Sequence, residues 1–189
     1  MTELHILCNG YVREGAEVRV GSTVGFVADG NALVVIDPGM VAATSSILEP
    51  LRALDIAPGD ITDVVLSHHH PDHTVNVGLF PGARIHDFQA IYVDDLWIDR
   101  SAEGFELSTN ITLIETPGHT PQDLTTLVTT DAGVVAFTHL WWAADGPADD
   151  PYTHDAAVLH ANRARVLGSA FEIVPGHGAR FQPDEDTPR

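Results

Sequence analysis

The sequence predicts a layered α/β fold, because two kinds of apolar pattern alternate along the chain. Short continuous apolar runs indicate strands that are buried on both faces, and two segments have the spacing of amphipathic helices. The first three apolar runs are separated by glycine-containing turns, which indicates an antiparallel meander. With 189 residues and 44% hydrophobic content, residues 1–189 are predicted to form a single domain around one core.

The first half of the chain is predicted to contain five strands and two helices. The tripeptide Asp29-Gly30-Asn31 is typical of a hairpin turn. Ser45–Leu54 has helical spacing and can be capped by Thr44 or Ser45, and Thr74–Phe80 is predicted to be a short helix. Strands are predicted at Leu4–Val12, Val18–Ala28, Ala32–Ile36, Val64–Leu66 and Ala83–His86.

The second half is predicted to contain five more strands and the clearest helix, Asp155–Ala170. Gln89–Gly104 mixes aromatic with acidic residues and is predicted to be a partly exposed loop or flap. Thr116–Asp123 and the acidic segment Trp141–Tyr152 are predicted loops, and the polar tail 182–189 is expected to fray. Strands are predicted at Phe105–Leu107, Ile111–Glu115, Leu124–Thr130, Val134–Thr138 and Phe171–Val174.

Charge and composition limit the partners and the compartment. The formal net charge is −18 and all nine basic residues are arginine, so long-range repulsion disfavours a nucleic-acid substrate and favours a small molecule. Cys8 is the one cysteine, which excludes an intrachain disulfide and predicts a buried structural thiol. Met1–Gly10 has no signal-peptide pattern, and no apolar stretch has membrane-spanning length. A cytoplasmic location is therefore expected, and a homodimer is left open.

The segment Ser67-His68-His69-His70-Pro71-Asp72-His73 is the densest concentration of metal-binding side chains. Alternate residues of an extended loop point the same way, so His68 and His70 can bind one ion while the histidine between them points elsewhere. The proline bends the chain, so Asp72 and His73 can face a second ion or an open position on the first. Asp72 can also orient a water molecule if the second position is empty.

Three further histidines, His119, His139 and His177, follow predicted strands. Strands of one layer deliver their ends to a common edge, where loops present side chains from a rigid base. We therefore expect these histidines to complete a site for one or two ions, whereas the alternative of unrelated surface histidines is disfavoured by the spacing. Imidazole nitrogen favours zinc, and iron, manganese or nickel are compatible with the same donors.

Three motifs resemble the metallo-β-lactamase superfamily over most of the chain. They are His68-x-His70-x-Asp72-His73, Thr116-Pro117-Gly118-His119-Thr120 and Pro175-Gly176-His177-Gly178. The apolar run 34–39, which ends in Asp and Gly, fits the same pattern. The resemblance implies a four-layer αββα sandwich with a metal site at one edge and a water or hydroxide between two ions. It assigns His68, His70 and His119 to the first ion and Asp72, His73 and His177 to the second.

The departure from the family pattern is His139, which stands where the family usually has a bridging aspartate. A neutral imidazole has one lone pair and binds a single ion, whereas a carboxylate has two oxygens and can bridge two ions. We therefore expect either a more weakly bound second ion or a His139 that belongs to one ion alone. The alternative is that His139 points away and merely ends its strand.

A metal site of this kind predicts a hydrolase. Metal-bound water ionises near neutral pH, and the ion polarises a carbonyl or phosphoryl oxygen, so a metal-bound hydroxide is expected to cleave an ester-like bond in a small molecule. Two alternatives stay open, namely a nucleic-acid phosphodiesterase and a non-enzymatic metal or ligand sensor attenuated by His139. Four aromatic residues, Trp141, Trp142, Tyr92 and Trp97, are predicted either to line an apolar substrate pocket or to belong to the core.

Overall fold

The computed structural model describes residues 2–189. Up to Asp99 the chain forms helix α1 (Ser45–Ala53), the short helix α2 (Pro71–Thr74) and nine strands. These strands are β1 (Glu3–Cys8), β2 (Tyr11–Arg13), β3 (Arg19–Gly21), β4 (Val24–Asp29), β5 (Ala32–Ile36), β6 (Asp63–Val65), β7 (Arg84–His86), β8 (Ala90–Val93) and β9 (Leu96–Asp99). Seven of them form one sheet in the order β1-β4-β5-β6-β7-β8-β9, and β2 pairs with β3 in a separate ribbon.

The rest of the chain forms a second sheet and one longer helix, α3 (Ala156–Leu167). The strands, which lie in sequence order across the sheet, are β10 (Phe105–Ser108), β11 (Ile111–Glu115), β12 (Leu124–Thr130), β13 (Gly133–Thr138) and β14 (Glu172–Pro175). The pairs β5–β6, β6–β7 and β13–β14 are parallel, and the remaining neighbours are antiparallel. The parallel strands therefore end at the same edge, which is where the histidine segments follow.

The core between the two sheets follows from the alternation of side chains along each strand. In β5, Val34 and Ile36 pack in the cluster between the sheets, whereas Val35 packs in the cluster under α1. The facing sheet contributes Leu113 and Phe137, among others, to the same inter-sheet cluster. Each fully buried aliphatic side chain of this kind contributes roughly 1.5–3 kcal/mol relative to exposure, so the alternation fixes the register of both sheets.

The helices cover the outer faces of the two sheets. Ile47 and Leu51 of α1 are fully buried against the first sheet, and Leu159 and Val166 of α3 are fully buried against the second. The carboxylate of Asp155 caps α3 by accepting hydrogen bonds from two backbone N–H groups of its first turn. The order helix, sheet, sheet, helix confirms the predicted αββα sandwich.

The prediction of a loop or flap over Gln89–Gly104 is wrong for most of that segment. It contains the hairpin β8–β9, in which Tyr92 pairs with Trp97 and Ile91 pairs with Ile98. Acidic residues at the turn and flanks masked the period-two alternation that predicts strands. The hairpin extends the first sheet at its free edge, where Trp97 is 59% exposed.

Two smaller predictions also need correction. The helix predicted over Thr74–Phe80 is instead α2, which starts earlier at Pro71, followed by a 3₁₀ turn at Val77–Leu79. The side chain of Thr44 makes no capping hydrogen bond to α1. The C-terminal tail, whose fraying stays a prediction, has a contact with the core: the indole N–H of buried Trp141 donates a hydrogen bond to the carbonyl of Pro188. A buried indole needs an acceptor, and the tail provides it.

Two further features concern the cysteine and the length of the helices. Cys8 is partly buried against the cluster under α1, and burial raises the pKa of its thiol, as expected of a structural cysteine. Within residues 2–189, no helix combines the length and the apolar character that crossing a membrane requires.

Candidate metal centre

The candidate site is assembled from the carboxyl ends of four strands. The histidine run follows β6, His119 follows β11, His139 follows β13 and His177 follows β14. Pro71 starts α2, whose single turn brings Asp72 and His73 back toward the edge. The edge therefore collects side chains that lie more than a hundred positions apart in the sequence.

The first predicted group of ligands lies together. The ring centroid of His68 is 4.6 Å from that of His70 and 5.0 Å from that of His119. Nδ1 of His70 lies 3.1 Å from Nε2 of His119. Zinc–nitrogen bonds of 2.0–2.1 Å place two tetrahedral donors about 3.3 Å apart, so this nitrogen pair has the spacing of ligands on one ion.

The second predicted group also lies together. Oδ2 of Asp72 is 3.5 Å from Nε2 of His73 and 3.5 Å from Nε2 of His177. The ring centroids of these two histidines are 5.1 Å apart. One carboxylate oxygen and two ring nitrogens therefore face a common point.

His139 lies between the two groups and is 1% exposed. Its ring centroid is 4.1 Å from that of His119 and 4.7 Å from that of His73, and its Nε2 lies 3.0 Å from Nε2 of His177. Three-donor clusters with all donors within 4.8 Å of one another include His139 twice, once with His68 and His119 and once with His73 and His177. The alternative in which His139 points away from the site is therefore excluded.

The outward nitrogens of three of these histidines are held by oxygen acceptors. Carboxylate and carbonyl oxygens can only accept, so each Nδ1 carries the proton and each Nε2 keeps a lone pair. The lone pairs of the three rings are thus directed inward by partners outside the centre. The contacts join Nδ1 of His73 to Asp37 (2.9 Å), of His119 to Asp150 (2.8 Å) and of His177 to the carbonyl of Gly21 (3.0 Å).

His68 is oriented through Ser67 and Asp37. The hydroxyl of Ser67 donates to Oδ2 of Asp37 over 2.6 Å, so its oxygen accepts from Nδ1 of His68 over 3.0 Å. Asp37 has a φ of 49°, a left-handed conformation that is strained for aspartate and is held by these hydrogen bonds. Nε2 of His68 and Nε2 of His73 are left buried and without a hydrogen-bond partner among residues 2–189.

Four rings of the centre, those of His68, His70, His139 and His177, have lowered pKa values, which favours their neutral form. Burial lowers the pKa of His68 and of His139 well below 6.5, and repulsion from the neighbouring rings lowers both further. Burial, followed by repulsion from His73, lowers the pKa of His177 to about 4. The pKa of His70 is also lowered, first by burial and then by His119. Neutral imidazole is the form that binds a metal ion.

The arrangement fits a metal ion, because internal hydrogen bonds leave part of it unsatisfied. Ring-to-ring hydrogen bonds can form only in the pairs His70–His119 and His139–His177. Buried polar atoms in folded proteins are almost always paired, yet Nε2 of His68 and Nε2 of His73 have no partner among residues 2–189. Nitrogen donors with one carboxylate suit zinc, iron, cobalt or nickel. His69 takes no part, because its Nε2 lies 2.9 Å from a carboxylate oxygen of Asp87 and its side chain is 46% exposed.

A cavity of about 320 Å³ opens beside the centre. One wall comes from the β2–β3 ribbon, and the other contains the rings of Trp142 and Tyr152, stacked at a centroid distance of 5.9 Å. A second cavity of about 290 Å³ is also lined by Trp142 and His177. The residues that line the first cavity are Val12, Val18, Val20, His70, Pro71, Asp72, His119, Trp142, Tyr152 and His177.

The four aromatic residues predicted for a pocket wall separate into three locations. Trp142 lines both cavities. Trp141 is fully buried in the cluster under α3, so its placement in a pocket is corrected to the core. Tyr92 and Trp97 pack against each other on the β8–β9 hairpin and line neither cavity. Adjacent residues at a strand exit point to opposite sides, which separates Trp141 from Trp142.

Sequence reasoning missed the groups that orient the ligands and most of the cavity wall. The sequence identifies Asp37 only as a strand end and Asp150 only as part of an acidic loop. The valines of the β2–β3 ribbon carried a usable signal, because Val18 and Val20 alternate with charged residues and so share one face. Tyr152 had no signal, since its position depends on how the acidic loop folds over the edge.

The fold and this site match those of the metallo-beta-lactamase superfamily, a class of metal-dependent hydrolases. The sequence profile described as "Metallo-beta-lactamase superfamily" matches residues 18–88, which include the histidine run. The chain is 29% identical to metallo-beta-lactamase domain-containing protein 1 of Xenopus laevis, over 95% of this chain and 81% of that protein.

Solved structures share the fold at low sequence identity. A Thermotoga maritima protein described as a metallo-beta-lactamase superposes with a TM-score of 0.78 at 23% identity, over 96% of this chain and 99% of that one. A quorum-quenching N-acyl homoserine lactone lactonase superposes with a TM-score of 0.67 at 15% identity, over 93% and 91% of the two chains.

Proposed function

We propose that the protein is a zinc-dependent hydrolase that cleaves an ester-like bond in a small uncharged molecule. The observation that carries the proposal is the set of inward Nε2 atoms of His68, His73, His119 and His177, each left without a proton because an acceptor holds the proton on Nδ1. A bound metal would supply a nucleophilic hydroxide near neutral pH and would polarise the oxygen of the bond to be cleaved. Residues of the chain would hold the metal, orient the water and bind the substrate.

The roles of the chain's residues follow from their positions. His68, His70 and His119 would hold one ion, and a second position is formed by Asp72, His73 and His177, with His139 between them. Asp72 both faces the ring nitrogens and lines the cavity, so it can orient the attacking water. Asp37 and Asp150 hold three of the rings in the tautomer that binds metal.

The cavity supports a small substrate with an apolar arm. About 320 Å³ is at the lower end of the range for ligand pockets. Valine side chains form one wall and an aromatic pair forms the other, so an acyl or alkyl group would be removed from water on binding. Apart from the histidines, Asp72 is the only acidic or basic residue in this lining, which contains no arginine. A substrate with a second anionic group would therefore find no cation beyond the metal.

The alternatives lack a supporting observation of their own. A nucleic-acid phosphodiesterase would need cations for the flanking phosphates, and no arginine lines either cavity at the centre.

The lactonase that shares the fold acts on a lactone, whose ester bond belongs to the proposed class of bonds. A cytoplasmic location and a homodimer stay predictions from the sequence.

The test is a substrate panel with the metal-loaded protein. The panel contains neutral esters, thioesters and lactones of matched acyl length, the same compounds with a carboxylate on the leaving group, and a phosphodiester. We expect hydrolysis of the neutral compounds, loss of activity on chelation and recovery with zinc, with iron, manganese and nickel compared in parallel. If no compound were hydrolysed by protein that retains its metal, the enzymatic proposal would be rejected in favour of the sensor alternative. Preference for the phosphodiester would overturn the substrate class.

A further inference from the structure

The ring of His139 occupies a space that the backbone leaves open for it. A Cβ atom at Gly176 would lie 2.3 Å from Cδ2 and 2.7 Å from Nε2 of His139. Any side chain at position 176 would therefore displace the His139 ring. Gly176 directly precedes His177, so the loop that provides one ligand also makes room for the imidazole. The backbone of this loop is therefore shaped to hold the His139 ring within the centre.

The donor distances assign His139 to one side of the centre. Its Nε2 lies 3.0 Å from Nε2 of His177, close to the 3.1 Å between the nitrogens of His70 and His119. Both separations are near that of two donors on one ion. His139 thus adds a donor to the position that already has Asp72, His73 and His177.

We propose that His139 closes the second ion position with a fourth protein ligand, whereas the first position keeps only His68, His70 and His119. The inference rests on the proposed metal centre. Metal sites with four protein ligands hold their ion as part of the structure, and sites with three leave a place for water or substrate. The second ion is then retained tightly and the first ion is the exchangeable, catalytic one. The sequence predicts the opposite, namely that the second ion is bound more weakly.

The proton balance is compatible with this assignment. When Nε2 of His139 binds the ion, the proton of the neutral ring is on Nδ1, which is buried and has no partner among residues 2–189. A missing hydrogen bond costs little compared with what a complete set of metal ligands contributes. The competing arrangement, with His139 on the first ion beside His68 and His119, would leave the second position with three ligands.

The test measures metal retention and ligand geometry, not catalysis. Wild-type protein is loaded with Zn(II) or Co(II), dialysed against a mild chelator, and analysed for metal per chain and for the visible absorption of Co(II). We expect two ions before dialysis and one after, and the retained Co(II) should show the intense bands of a four-coordinate ion. Weak bands from the retained ion would contradict the proposal without any variant.

Three variants locate the retained ion. His139→Ala and Gly176→Ala, which displaces the ring, should each release the retained ion at least tenfold faster. Gly178→Ala is the matched glycine control, because its Cβ would meet its nearest neighbour at 3.1 Å. His70→Ala should remove the exchangeable ion and spare the retained one.

The outcomes separate the two levels of the proposal. If wild-type protein bound no metal, the metal centre itself would be rejected. If metal bound but His139→Ala left the retained ion in place, or lost only the exchangeable ion, the centre would stand and the assignment of His139 would fall.

Discussion

The two edges of the sandwich bury similar polar groups and use them differently. At the edge opposite the histidines, each oxygen of the buried carboxylates of Asp29 and Asp63 accepts at least one hydrogen bond. At the metal edge, the carboxylate of Asp37 is equally well bonded, but the rings it orients leave Nε2 atoms buried and unpaired. Groups that are fully paired stabilise a fold, whereas unpaired groups held in place by paired ones indicate a ligand.

The opposite edge joins loops of the two sheets. Burial alone would raise the pKa of Asp29, but hydrogen bonds from Asn110, Ser108 and Thr2 outweigh it and lower the pKa to about 2. Asp63 accepts from Thr62, Arg84 and His86. These carboxylates connect strand ends that would otherwise separate, and each of their oxygens accepts at least one hydrogen bond.

The largest effect is expected from removing a ligand at the metal edge. His119→Ala removes a nitrogen with its lone pair directed inward, and loss of activity and of metal affinity should exceed the roughly 10–100-fold that loss of an orienting group costs. Elemental analysis and kcat/KM measure the two. His160→Ala, an exposed histidine on α3, is the matched control and should change neither. If the two variants had the same metal content and the same kcat/KM, the proposed metal site would be contradicted.

The next effect compares one carboxylate from each edge. Asp37→Asn removes the acceptor of His73 and Ser67 and should weaken zinc binding about 10–100-fold. Asp29→Asn should leave zinc affinity unchanged, because Asp29 contacts no residue of the centre. Calorimetric titration measures both affinities. A similar loss in both variants would show that general destabilisation, and not orientation of the rings, is responsible.

A third effect concerns acid stability at the opposite edge. The folded pKa of Asp29 is about 2 and its ordinary value is 3.8, so the unfolded chain takes up the proton first. The stability from charged Asp29 is therefore complete above pH 3.8 and is lost as the pH falls through about 2. Asp29→Asn should lower the free energy of unfolding by roughly 1–3 kcal/mol near neutral pH and reduce its fall between pH 4 and 2. Denaturant titrations at several pH values measure this, with exposed Asp131→Asn as the control. An unchanged pH dependence in Asp29→Asn would refute it.

The smallest effect is expected at the cavity wall. Val18→Ser makes the β2–β3 ribbon more polar, so kcat/KM should fall about threefold to tenfold for long acyl chains and less for short ones. Val75→Ser changes an equally exposed valine outside the cavity and should have no such effect. A uniform loss across chain lengths would show that Val18 does not contact the acyl arm.

The ligands could be predicted from sequence because the chain places them immediately after strands. His68, His119 and His177 each follow an apolar run, and parallel strands bring their ends to one edge. Tertiary partners could not be predicted in the same way. The contact between His119 and Asp150 depends on the fold of an irregular loop, and no pattern in the sequence sets that fold.

Two corrections have the same physical origin. The β8–β9 hairpin alternates apolar residues over only four positions per strand, and the aspartates at its turn made it resemble a loop. Trp141 and Trp142 are identical neighbours in sequence, and only the direction in which the chain leaves β13 decides which one is buried. Local chemistry therefore predicted which donor side chains gather at this edge, whereas long-range packing determined what surrounds them.

The most direct test of the central claim is an anomalous-scattering map from crystals grown with zinc. The account predicts one peak within bonding distance of His68, His70 and His119, and a second near Asp72, His73, His139 and His177. A map with no peak among these nitrogens, in crystals of folded protein, would contradict the claim that the histidine edge is a metal centre.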